Sequence, residues 1–165
     1  MDITDVAIAA VVTGLGATAF MDGIAWFQRV FFKVPSLNYA LVGRWIIGLP
    51  DGQVVHQTIL QAPPRRSEGL VGWVFHYAIG VVFVALMLAF VGADWLTDPT
   101  VWPPLLVGVL SLCAPFCVMQ PAFGFGVAAS KTPAPWVARQ RSLIAHVSFG
   151  FGIYATGLVW AALMR

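Results

Sequence analysis

Four polar side chains stand inside apolar runs of this 165-residue chain, and their types bound the chemistry open to it. Asp22 closes GLGATAFMD, His76 sits in GWVFHYAIG, Gln120 in VMQPAFGFG and His146 in RSLIAHVSFGFGIY. An ionised carboxylate is costly in hydrocarbon, so an intramembrane aspartate faces a bundle interior, where it pairs or titrates. Histidine titrates near neutral pH, so Asp22 and a histidine suit a proton path. His76, His146 and Asp22 also make a nitrogen and oxygen set compatible with zinc or iron, although histidines on separate helices have no spacing that diagnoses a metal. Haem between two facing histidines is a third chemistry, with Gly80 and Gly150, each one turn past its histidine, making room or serving helix packing. Against all three stands a structural role, in which the four side chains form interhelical hydrogen bonds worth about 0.6 kcal/mol on average. No cofactor or metal identity follows from these residues.

Other motifs add less. Cys113 and Cys117 in CAPFC are four apart and, with Met119, resemble a soft pair for copper(I), but Pro115 distorts the face between them. GLGATAF lacks the lysine and the preceding strand of a nucleotide loop. No serine, histidine and acid set appears, so no enzymatic reaction is assigned. No basic cluster interleaved with aromatics supports a nucleic-acid partner.

The elements that must hold these residues are membrane spans. With 59% hydrophobic and 10% charged residues, a soluble domain of this size could not hide its apolar surface. Crossing about 30 Å of hydrocarbon takes about 20 apolar helical residues. Four runs qualify, at about 6–28, 69–93, 101–126 and 142–164. The N-terminus lacks a basic leader and is read as the start of the first span. Pro115 and Pro121 inside the third run each remove a backbone donor, so that helix is expected to kink or break. Residues of about 34–68 are expected to form a cytoplasmic interfacial segment, with a short helix in LNYALVGRWIIG followed by a stretch carrying His56. There Arg44 beside Trp45 is expected to reach lipid phosphate, the alternative being an acid at the bundle mouth.

Lysine and arginine set the orientation. Lys33, Arg44, Arg65 and Arg66 lie between the first and second runs, and Lys131, Arg139 and Arg141 between the third and fourth. GADWLTDPTVWPP, between the second and third, has none. The positive-inside rule then puts both termini outside, with Arg165 dissenting.

The runs also pair off. Met21-Asp22 and Met119-Gln120 fall in the first and third, and His76 to Gly80 and His146 to Gly150 repeat H-x-x-x-G in the second and fourth. The chain reads as two helical hairpins in parallel repeat, related by an axis along the membrane normal. At 1.5 Å per residue both histidines lie on the order of 10 Å inside their cytoplasmic ends, in one polar layer with Asp22 and Gln120.

GLGATAFMD, PSLNYALVGRWIIGLPDG, GWVFHYAIG, PFCVMQPAFGFGVAASKTPAP and RSLIAHVSFGFGIY resemble, nearly end to end, a family of small bacterial inner-membrane proteins known only as a domain of unknown function. The resemblance implies a four-helix bacterial membrane protein with GRW, HY and MQPA signatures and brings no established reaction. The expectation is one all-α transmembrane domain over 1–165, multi-pass in the inner membrane with both termini periplasmic, and in contact with lipid. It would serve in transport or permeation of a proton, an ion or a small polar solute, alone or as a homo-oligomer. The alternative is an accessory or scaffold subunit of a membrane redox complex that binds haem or metal through histidine.

Overall fold

A computed structural model describes residues 2–164, so Arg165 lies outside the described residues. All regular structure there is helical. Helix α1 (Ile3–Phe32) opens on a reciprocal cap: the Asp2 carboxylate accepts from the Asp5 N–H at 2.8 Å and Asp5 accepts from the Asp2 N–H at 3.2 Å. Two acids at a helix N-terminus also complement its dipole. The helix stops at Lys33, whose left-handed φ of 57° turns its N–H back to the Gln28 carbonyl.

Helix α2 (Tyr39–Gly48) is capped by the Asn38 side chain, which accepts from the Ala40 N–H. Gly52, at φ 76°, then reverses the chain after a short 3₁₀ turn. Helix α3 (Glu68–Val91) has no charge after Glu68, and its most apolar stretch is only 22% buried. Phe90 is nearly bare, and Val74 and Leu86 are exposed. So much open apolar surface needs lipid against it.

The third run is composite. Helix α4 (Trp102–Leu110) carries Pro103 and Pro104 in its first turn, where their missing donors cost nothing. A π-helical segment follows at Ala114–Met119, in which the Gln120 N–H reaches the Pro115 carbonyl. Pro115 offers no N–H and its ring crowds the carbonyl four residues back, which a wider turn relieves. Helix α5 (Gln120–Ala122) ends in a tight turn with Gly124 at φ 83° and Gly126 at φ 74°. Helix α6 (Pro135–Leu163) begins with a proline at its first position and so starts seven residues earlier than residue 142. Arg139 and Arg141 therefore ride on its first turns.

Four of these stretches, Ile3–Phe32, Glu68–Val91, Trp102–Ala122 and Pro135–Leu163, are long and apolar enough to cross a membrane. The residues group into two compact units. The first comprises the chain up to Ser36, Tyr77–Ser111 and everything from Ile144. Its core packs Ala9, Ala17, Val84, Leu96, Phe149 and Ile153. The second comprises Leu37–His76 and Leu112–Leu143 around Val42, Ile59, Ala122 and Phe123.

Candidate functional site

Two glycine-paired helix crossings position the histidines. In the second unit α2 runs antiparallel to the first turns of α3, and a Cβ on Gly43 would overlap the Glu68 carbonyl while one on Gly72 would overlap that of Tyr39. Each glycine thus faces the carbonyl four residues before the other. Only glycine allows that approach, which lets Cα–H groups meet carbonyls. The first unit repeats the device between α4 and α6: a Cβ on Gly108 would lie 2.5 Å from the His146 carbonyl, and one on Gly150 2.8 Å from that of Pro104.

His76 stands one turn past Gly72, and Tyr39 one turn before Gly43. Their rings stack with centroids 4.2 Å apart, the Tyr39 hydroxyl lies 2.9 Å from Nε2, and Trp73 meets the imidazole edge-on. His146 has a harder partner. The buried Ser111 hydroxyl donates to the Gly108 carbonyl at 2.7 Å and lies 2.6 Å from His146 Nδ1. A hydroxyl has one proton to give, so Ser111 accepts from His146, which fixes the proton on Nδ1.

Asp22 is half-buried on α1, with its carboxyl hydrogen-bonded to the Tyr77 hydroxyl of α3. Gln120 is 9% exposed, and its Oε1 has no hydrogen-bond partner among the described residues. The four polar residues singled out in the sequence thus fall two to each unit: Asp22 and His146 in the first, His76 and Gln120 in the second. Gly80 packs against Thr18 and the Gly14 carbonyl of α1. Pro115 is buried in the π-helical turn, and Pro121 lies in the short α5 just beyond it. Cys113 and Cys117 are free thiols on the exposed surface. Among the described residues no group of three or more His, Cys, Asp or Glu side chains is arranged to hold a metal ion.

Arg44 makes a forked pair with Glu68, Nε to Oε2 at 2.8 Å and Nη2 to Oε1 at 2.9 Å. Its Nη1 spans the loop, donating to the carbonyls of Ile59 at 3.2 Å and Ala62 at 2.8 Å. The hydrogen bonds it donates to Glu68 raise the guanidinium above its already high ordinary pKa, against the opposing effect of burial. Trp45 donates its indole N–H to the Val54 carbonyl. Missing from the sequence reading are Tyr39, Tyr77 and Ser111, the hydroxyl partners. The one signal for them was a hydroxyl inside, or at the edge of, an apolar run.

Four spans of this kind define a multi-pass helical membrane protein. Residues 11–160 match the model of a family described as "Protein of unknown function (DUF2938)", and the chain belongs to that family. No curated protein and no solved structure matches it.

Proposed function

We propose that the chain is a small bacterial inner-membrane protein for transport or permeation of a proton, an ion or a small polar solute, with both termini periplasmic. One observation supports this above the rest: Asp22, His76 and His146 each have a hydroxyl in hydrogen-bond reach, from Tyr77, Tyr39 and Ser111 respectively. The phenols of Tyr77 and Tyr39 can each donate or accept, so they suit a carboxyl or imidazole in either protonation state, while Ser111, its proton given to Gly108, accepts from His146. A hydroxyl partner is neutral, whereas a salt bridge favours one charge state. Gln120 Oε1 adds an acceptor that no described side chain uses.

Proteoliposomes loaded with a pH-sensitive dye and given a potassium diffusion potential test the reading. Wild-type protein is expected to carry protons faster than protein-free vesicles, and Asp22→Asn to return the flux to the protein-free level. Wild-type vesicles no faster than empty ones, for protons and for a panel of small ions and polar solutes, would overturn it.

A further inference from the structure

The second unit contains a cavity of about 460 Å³ lined by His56, Gln57, Ser130 and Lys131 with apolar walls from Val55, Pro121 and Val127. Its construction is specific. The His56 N–H donates to the Ala122 carbonyl at 2.8 Å and the Ile59 N–H to that of Phe123 at 3.0 Å, which docks the 56–59 stretch on the turn after α5. Gly124 gives up its side chain so that the carbonyls of His56 and Gln57 can come close. Gly126 does the same for Ser130 and Lys131: a Cβ there would overlap the Ser130 hydroxyl and lie 2.9 Å from Lys131 Cγ. Both glycines have positive φ, so a side chain would be strained as well as crowded. Two glycines thus let the 56–57 backbone, the Ser130 hydroxyl and the Lys131 stem close on one turn.

Charge then selects the occupant. The second unit has two carboxylates, Asp51 and Glu68, and each is paired to an arginine, Arg65 at 2.9 Å and Arg44 at 2.8 Å. Among the described residues Lys131 has no carboxylate partner and no acid lines the cavity. A concave site of this size with a lysine, a hydroxyl and no acid suits an anion with an organic portion. Lysine presents a compact point charge, which fits a phosphate-type oxyanion.

We infer that this cavity binds a phosphate group, carried by a soluble phosphomonoester or by an anionic lipid headgroup. It is independent of the transport reading. The test uses the full chain, delipidated in detergent, in equilibrium dialysis against labelled inorganic phosphate. Saturable binding is expected, about tenfold weaker in Lys131→Gln, as loss of one charge-assisted hydrogen bond implies. Lys33→Gln, on α1, is expected to bind like wild type, and Ser130→Ala to weaken binding less than Lys131→Gln. Lys131 is exposed, so its variant should fold, and helical circular dichroism checks this. In nanodiscs of phosphatidylcholine, displacement of phosphate by added phosphatidylglycerol assigns the site to a headgroup, and phosphate binding that survives it assigns the site to a soluble ligand. No saturable phosphate binding in either medium, or equal binding by Lys131→Gln, overturns the inference.

Discussion

The two glycine crossings use the same backbone geometry and surround their histidines differently. Between α2 and α3 the histidine lies in an aromatic cradle, stacked on Tyr39 and edged by Trp73, with an arginine and glutamate pair about two turns away. Between α4 and α6 it meets a serine that is already bonded to a backbone carbonyl. In the first case the ring is held by area, in the second by a single proton-specific bond. Stacking tolerates imidazole and imidazolium alike, while the serine demands a proton on Nδ1. The shared H-x-x-x-G motif does not imply a shared environment either, since Gly80 packs on α1 and Gly150 on α4.

The first way to break the comparison is to unbalance the crossing that has charges. Side chains of Arg44 and Glu68 are 11% and 15% exposed, so Arg44→Met leaves the carboxylate with the Arg65 N–H but no counter-ion and is expected to cost about 3 kcal/mol. Denaturant unfolding in detergent measures it, and Arg44→Met with Glu68→Leu should recover most of the loss. If the double variant is no better than the single one, the pair is not the cause. The second is to compare the glycines themselves. Gly43→Ala drives a methyl into the Glu68 carbonyl and is expected to cost about 3 kcal/mol, against about 1 kcal/mol for Gly150→Ala, where the clearance is larger. Equal thermal shifts for the two would remove the distinction. The third sharpens the histidines. Ser111→Ala leaves His146 Nδ1–H without this acceptor, for about 2 kcal/mol, whereas Tyr39→Phe keeps the stack and costs about 1 kcal/mol. Nitrogen-15 shifts of the imidazoles check the cause: the Nδ1 signal should change for His146 in Ser111→Ala, and the Nε2 signal for His76 in Tyr39→Phe.

The four spans were legible because hydrocarbon demands long uncharged runs, and little else satisfies Glu68–Val91. The start of α6 was not, since Arg139 and Arg141 read as loop. Pro135 starts the helix before them, and the Arg139 Nε finds the Ala128 carbonyl. Prolines 115 and 121 announced an irregular third run, but lost donors do not say how a chain repairs itself, and the π-helical turn had to be seen. Residue types pointed to His76 and His146. Their partners lie 37 and 35 residues away, on elements whose packing no local pattern encodes. The forked pair was one of two readings of Arg44, since an arginine beside a tryptophan also describes a lipid anchor.

The reach of Arg44 has a consequence in time. Its carboxylate partner lies 24 residues further along the chain, and a ribosome adding about 5–20 residues per second delivers it about 1–5 s later. Gly72, the other half of the crossing, comes later still. Until then α2 has neither its counter-ion nor its neighbour, and the Arg44 guanidinium has only the loop carbonyls of Ile59 and Ala62 to bind as they emerge. Helix α2 can settle only after the start of α3 has been made, so this corner of the protein assembles backwards, the earlier helix waiting for the later one.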